Sequence, residues 1–238
     1  RHSSDVFISV FRPSGRTHWP GNLKKYRVRS SDAAIVDAQN NPAVDPTTGF
    51  FAPTAQSFWS SVVDGHTADL GGAAALVPAG TGRVVYNHLR DTDLTSAANR
   101  IITTNSALTD DLLGTGHAGE PQRAQVIDFI NGLDAPDTDH DGSVAEARRQ
   151  MGDALHSEPV TVIYGPGAID GLVFAATNDG FLHAIDLESG IEQWAFVPPE
   201  FLGGQVALFK DEPSASKRYG IDADLRIQTV ADNDGVIE

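Results

Sequence analysis

Residues 172–196, LVFAATNDGFLHAIDLESGIEQWAF, carry the clearest structural pattern in the chain. Apolar runs lie on both sides of an Asn-Asp-Gly segment at 178–180, and an Asp-Gly pair between apolar runs is typical of a tight β-hairpin turn. A second turn at 189–190 leads to a third run, and an apolar strand at 160–164 precedes the hairpin. Several short antiparallel strands with glycine-marked turns are typical of one β-propeller blade. The sequence therefore predicts a mainly β fold with a partial β-propeller.

An acidic loop precedes this blade. Its aspartates alternate from residue 137, and Gly142 follows at the sixth position, where the loops of calcium-binding helix pairs turn sharply. The twelfth position holds Arg148 instead of a bidentate glutamate, so the nearest acid, Glu146, is the expected distal ligand. The pattern predicts a Ca²⁺ site formed by Asp137, Asp139, Asp141, Ser143 and Glu146. The alternative is a solvated Asx turn, which needs only one carboxylate.

A second, weaker cation-binding pattern lies near the end of the sequence. Asp232, Asp234 and Glu238 have the spacing D-x-D-G-x-x-E, which could supply several carboxylate oxygens to one ion. Val230 occupies the position where a first aspartate would be expected. This pattern is the weaker candidate of the two.

Short helices are expected to flank the acidic loop. The segment 122–132 has apolar residues on one helical face, with proline before it and glycine at its end, and 143–151 is a second helix candidate. A hairpin is expected from strands at 5–11 and 23–29, and the basic residues of its second strand are expected to form a solvated face: Lys24, Lys25, Arg27 and Arg29.

We expect three regions along the chain. Residues 1–133 form a strand and loop region that precedes or completes the propeller, and residues 134–158 form the calcium loop and short helix. Residues 159–238 form the first, truncated propeller blades, because one blade needs about 40–45 residues. The chain begins at Arg1 instead of methionine, so we expect a fragment or a processed product.

Composition restricts the possible partners. The 17 basic and 32 acidic residues give a formal net charge of −15, which argues against a nucleic-acid-binding surface. No apolar run approaches the roughly 20 residues that span a bilayer, so no membrane span is expected. The chain has no cysteine and therefore no thiolate nucleophile.

No catalytic residues are predicted. His156 beside Ser157, and His183 near Asp186, could suggest a hydrolase, but this rests on adjacency alone. Neighbouring residues of an extended strand point to opposite faces, so His156 and Ser157 are not expected to form a nucleophile–base pair. His183 is expected to pack within the blade.

Several motifs together resemble the C-terminal half of PilY-type proteins, which are tip-associated adhesins and assembly factors of bacterial type IV pili. The motifs, in this order, are WPGNLKKY (19–26), FW (58–59), GGA (71–73), GDALHSEPV (152–160), TNDGFLHA (177–184) and KRYGID (217–222). The resemblance implies a modified propeller, export to the cell surface, pilus tip or outer membrane, and calcium-tuned pilus extension, retraction, twitching and adhesion. It implies pilin or minor pilin partners and a host-surface receptor, and places the family's calcium loop on Asp137, Asp139 and Asp141.

The chain departs from this family in two respects. The von Willebrand-like N-terminal domain of many members is absent from this sequence, and the stretch after Asp134 has room for little more than two blades. The order of residues in the blade resembles the repeat of quinoprotein-type propellers, so the expected blade is quinoprotein-like. The alternative that this repeat alone suggests is a fragment of a quinone-dependent propeller dehydrogenase. Further blades and a cofactor pocket at the propeller axis would distinguish that enzyme from an adhesin.

Overall fold

The computed structural model describes residues 4–164 and 171–228, and these residues form a mainly β fold. The strands are β1 (Asp5–Phe11), β2 (Pro20–Val28), β3 (Ile35–Val36), β4 (Val85–Tyr86), β5 (Met151–Gly152), β6 (Val160–Ile163), β7 (Gly171–Ala176), β8 (Leu182–Asp186) and β9 (Glu192–Phe196). The α-helices are α1 (Asp110–Leu113), α2 (Arg123–Ile130), α3 (Pro199–Leu202) and α4 (Gln205–Lys210). In these ranges no helix is long and apolar enough to cross a membrane.

The first sheet is built around β2. It pairs antiparallel with β1 over the whole length of that strand, from Asp5 opposite Arg27 to Phe11 opposite Gly21. On its other side β2 pairs with β3 and, near its start, with β5. The predicted hairpin of the first two strands is therefore confirmed.

The expectation that the basic residues of β2 form a solvated face is wrong for Lys24 and Lys25. These side chains are buried, with 0% and 5% exposure, because β2 is the central strand and is covered on both faces. Lys24 Nζ lies 3.0 Å from a carboxylate oxygen of Asp64, and Lys25 Nζ lies 3.1 Å from Asp5. The alternation of apolar and basic residues correctly predicted a strand. The face that was expected to be exposed to solvent is covered by loops.

The second sheet contains the predicted blade. Strands β6, β7, β8 and β9 form an antiparallel meander with sequential neighbours, and β4 adds parallel to β9 at the edge. Gly180, with φ of +90°, closes the β7–β8 hairpin as the Asn-Asp-Gly pattern predicts. Within the described ranges the two sheets do not form a closed ring, so the propeller itself remains a prediction.

The sheets combine segments from all three predicted regions. Strand β4, from the region before residue 134, joins the second sheet, and β5, from the loop region, joins the first. A core between the sheets contains Leu23 and Met151 from the first sheet, and Val173 and Ile185 from the second. In a second core, residues of the four helices pack with Val85 of β4 and Ala195 of β9 in the blade sheet.

The predicted helix pair around the acidic loop is only half correct. Helix α2 forms before the loop, but the helix predicted at 143–151 is wrong. The chain there pairs with 132–134 instead: the amide of Asp134 donates to the carbonyl of Glu146 at 2.9 Å, and the amide of Arg148 donates to Gly132 at 2.9 Å. Tertiary pairing thus overrides the helix propensity of this Ala-, Glu- and Arg-containing segment.

Candidate metal centre

The acidic loop connects α2 to β5. Its two ends are held together by backbone hydrogen bonds between 132–134 and 146–148, so the intervening residues form a closed turn. Three positions in this turn have positive φ, namely Asp137 at 56°, His140 at 62° and Gly142 at 87°. With this backbone conformation, the side chains of Asp137, Asp139 and Asp141 point towards a common centre.

The structure brings five carboxylates into two overlapping groups. Oxygens of Asp134, Asp139 and Glu146 lie within 4.8 Å of one another, and so do oxygens of Asp137, Asp139 and Asp141. Asp139 belongs to both groups. Four of the five sequence-predicted ligands are thus brought together, and these acidic groups could hold a metal ion.

Ser143, the fifth predicted ligand, lies on the same loop. Its amide donates to Asp141 Oδ1 at 2.7 Å. Similar bonds join the Gly142 amide to Asp137 Oδ1 at 3.1 Å and the Asp141 amide to Asp139 Oδ1 at 3.3 Å. Such bonds also form in a metal-free Asx turn. The convergence of Asp134 and Glu146 on the aspartates is the feature that an Asx turn does not require.

Repulsion between the carboxylates affects the pKa of Glu146. The charge of Asp141, followed by partial burial and the charges of three other aspartates, raises the pKa of Glu146 above its usual range. Like charges at this spacing favour the protonated form of one of them. A bound cation would remove this repulsion and hold all the carboxylates ionised.

Asp134 is the site residue that the sequence analysis missed. It is 5% exposed, and Thr138 donates to it twice, from its amide at 2.9 Å and from its hydroxyl at 2.6 Å. The calcium-loop spacing starts at Asp137, so an acid three residues earlier is not part of that pattern. Only the pairing of Asp134 with Glu146 brings this carboxylate to the site.

Arg148, at the twelfth loop position, makes contacts with Phe129. Its guanidinium lies 3.7 Å from the centre of the Phe129 ring and donates to the Phe129 carbonyl at 3.3 Å. Burial lowers the pKa of Arg148 to about 10, so the side chain stays positively charged at neutral pH. Glu146 lies near Asp134 and Asp139, and its role as the distal ligand stays a prediction.

The two histidine pairs considered for catalysis do not form. His156 Nδ1 lies 2.6 Å from Asp222, and Ser157 Oγ is buried without a hydrogen-bond partner in the described part of the chain. His183 is 1% exposed, and its Nδ1 lies 2.6 Å from Glu192 instead of contacting Asp186. The expectation that His183 packs within the blade is confirmed.

The weaker cation pattern at Asp232, Asp234 and Glu238 lies outside the described residues. Compared with protein-family models, curated proteins and solved structures, the chain matches none of them.

Proposed function

We propose that this chain is a calcium-stabilised, non-enzymatic binding segment of a type IV pilus tip adhesin or assembly protein. The observation that carries the proposal is the convergence of Asp134 and Glu146 on Asp139, the residue shared by both acidic groups. A cation at this point would join the two ends of the loop. The motifs that resemble PilY-type proteins support the assignment to pilus biogenesis, attachment and twitching.

Calcium fits this set of ligands better than other common cations. It takes six to eight oxygen ligands at flexible geometry, and five carboxylates around one loop offer oxygens at several angles. Magnesium prefers a tight octahedron that retains several waters, and zinc prefers nitrogen and sulfur ligands. The acidic groups contain neither histidine nor cysteine.

The cation would act on the junction between the sheets. The loop begins after α2, which packs in the core beneath the blade sheet, and leads into β5, which pairs with β2 of the first sheet. Fixing the loop therefore fixes two parts of the fold relative to each other. On this proposal the protein is exported, acts at the cell surface, and contacts pilins or minor pilins and a surface receptor.

The metal proposal is tested by thermal unfolding in calcium, in magnesium and in a calcium chelator. At a calcium concentration of about 100 times Kd, a single site stabilises the folded state by about 2.7 kcal/mol, which corresponds to roughly 5–10 °C in Tm at this chain length. Asp139→Asn should abolish most of this shift, since it alters both acidic groups. Asp45→Asn is the matched control, because Asp45 also accepts backbone amides in a turn, at 2.7 Å from the Thr47 nitrogen, outside the cluster.

Equal melting temperatures with calcium and with chelator would refute the metal site. The biological assignment has a separate test, in which the parent protein carries Asp139→Asn or Asp45→Asn in a piliated bacterium. We expect only Asp139→Asn to change surface attachment and twitching. Calcium- and quinone-dependent dye reduction by the purified parent protein would contradict the non-enzymatic assignment.

A further inference from the structure

A cavity of about 200 Å³ is lined by residues near both ends of the acidic loop, namely Pro136, Thr138 and Arg148, and Asp139 is not among its lining residues. The β1–β2 connection, α2 and α4 also contribute to its walls. The cavity is therefore built by four separate parts of the fold.

The charged residues that line this cavity are mainly cationic, although the whole chain carries a net charge of −15. Arg12, Arg16 and Arg148 line it, together with one acid, Asp211. Arg12 pairs with Asp69 and Arg16 pairs with Asp211, both at 2.8 Å. These two arginines are more than half exposed, so each retains donors that face solvent.

Arg148 lacks such an acidic partner among the described residues. Its two terminal nitrogens reach only neutral acceptors, Gln150 Oε1 at 3.2 Å and the Phe129 carbonyl at 3.3 Å. Its Nε is buried and has no hydrogen-bond partner in the described ranges. A planar guanidinium with an unused Nε–H is suited to bind an oxyanion through paired hydrogen bonds.

His18 supplies a second unused polar atom in the same lining. The residue is 9% exposed, and its Nε2 is buried without a partner in the part of the chain that the structure describes. Its backbone is fixed, since its amide donates to Asp211 Oδ1 at 2.7 Å and its carbonyl accepts from the Ser14 hydroxyl at 2.9 Å. A buried polar atom left without a partner is costly, and two such atoms, His18 Nε2 and Arg148 Nε, belong to residues of this one lining.

The remaining wall is apolar. Phe129, Leu208 and Phe209 line the cavity, and the two phenylalanine rings pack edge to face at 5.6 Å. A free inorganic anion would leave this wall without contacts. A ligand that carries its charge on a short hydrocarbon stem would contact both parts of the lining.

We propose that this cavity binds a carboxylate on a short apolar stem. The carboxylate accepts from Arg148 Nε and His18 Nε2, and the stem packs on Phe129, Leu208 and Phe209. The same chemistry is offered by a free small organic acid and by the C-terminus of a peptide that ends in an apolar residue.

The test is a titration of the full chain with butyrate, followed by the NMR signals of the arginine Nε–H groups and by calorimetry. We expect saturable, millimolar binding that shifts the Arg148 Nε–H signal, with no binding of the isosteric amide butyramide and weaker binding of inorganic phosphate. Arg148→Gln should weaken butyrate binding by about tenfold or more, because it removes a charged hydrogen-bond donor. Arg29→Gln is the matched control, since Arg29 pairs with Asp32 outside the cavity.

A second variant covers the case in which Arg148→Gln does not fold. Arg16→Gln alters a half-exposed lining residue, and it should weaken binding severalfold. A tripeptide ending in leucine, compared with its C-terminal amide, separates the two sources: tighter binding of the free tripeptide than of butyrate identifies a peptide terminus. The proposal is overturned by a lack of saturable butyrate binding, by phosphate binding as tightly as butyrate, or by equal affinities in a folded cavity variant and Arg29→Gln.

Discussion

The buried carboxylate of Glu192, in β9, contacts His183 in β8 and Arg83, which precedes β4. Arg83 contacts Glu192 through Nε at 2.7 Å and Nη2 at 3.0 Å, and His183 Nδ1 lies 2.6 Å away. All three side chains are almost fully buried. Burial alone would raise the pKa of Glu192, but the charge of Arg83 and the hydrogen bond from His183 lower it to about 2.

Replacing this carboxylate tests how much the buried network contributes to stability. Glu192→Gln leaves the guanidinium of Arg83 without its counter-charge, so we expect it to destabilise the fold by about 3–5 kcal/mol in urea denaturation at pH 7. Because the folded-state pKa is depressed, the contribution of Glu192 is present above its unfolded pKa and is lost as pH falls towards 2. The difference between wild type and variant should therefore shrink at pH 3.

Glu200→Gln is the control for this experiment, since Glu200 is exposed on α3. It should leave stability within about 0.5 kcal/mol of wild type. A Glu192→Gln variant as stable as Glu200→Gln at pH 7 would show that the buried network contributes little.

At the scale of elements, the contact between β2 and β5 depends on a residue without a side chain. Gly21 lies opposite Met151, and a Cβ built on Gly21 would lie only 2.1 Å from the carbonyl oxygen of Gly152. Gly21→Ala must therefore displace β5, and we expect a loss of about 1–3 kcal/mol or more in chemical denaturation. Gly15→Ala is the matched control, since a Cβ there meets no atom within 4 Å. Equal denaturation midpoints would mean that β5 adapts without cost.

The same elements show what the sequence could and could not predict. The β7–β8 hairpin was predictable because an Asn-Asp-Gly turn is a local signal, and α2 was predictable from its apolar face and boundary residues. The pairings of β4 and β5 are two-residue contacts with strands far away in the chain, and nothing local encodes them. A separate pairing, between 132–134 and 146–148, replaced the expected helix at 143–151. It also brought Asp134, which lies before the calcium-loop pattern, into the candidate site.

At the scale of the whole molecule, a C-terminal strap (residues 211–222) connects parts of both sheets. At its start Asp211 binds the β1–β2 connection through Arg16 and the His18 amide. Further along, Lys217 pairs with the buried Asp153, which follows β5. Its end lies against the blade, where the amide of Ile221 donates to the Thr177 carbonyl at 3.2 Å. The strap thus crosses the junction that the acidic loop also connects.

Asp222 anchors the last part of this strap. Its carboxylate lies 2.6 Å from His156 Nδ1 and accepts from the His156 amide at 3.2 Å. Burial tends to raise the pKa of Asp222, but the hydrogen bonds from His156 and Asn178 hold it below its usual range. At neutral pH the anchor is therefore a charged acceptor, and its removal should release the strap without unfolding the sheets.

Asp222→Asn tests this anchor by hydrogen exchange. We expect the strap amides of Gly220 and Ile221 to exchange roughly three to ten times faster, because a partly exposed charged contact contributes about 0.5–1.5 kcal/mol to local closure. The amide of Tyr26 in β2 should keep its rate, since core strands open only in larger unfolding events. Asp224→Asn, two residues along the chain, is the control for the loss of a charge. If both variants leave the Gly220 and Ile221 rates unchanged, the strap is held by Lys217 and its backbone bonds, and the His156–Asp222 pair is only a surface contact.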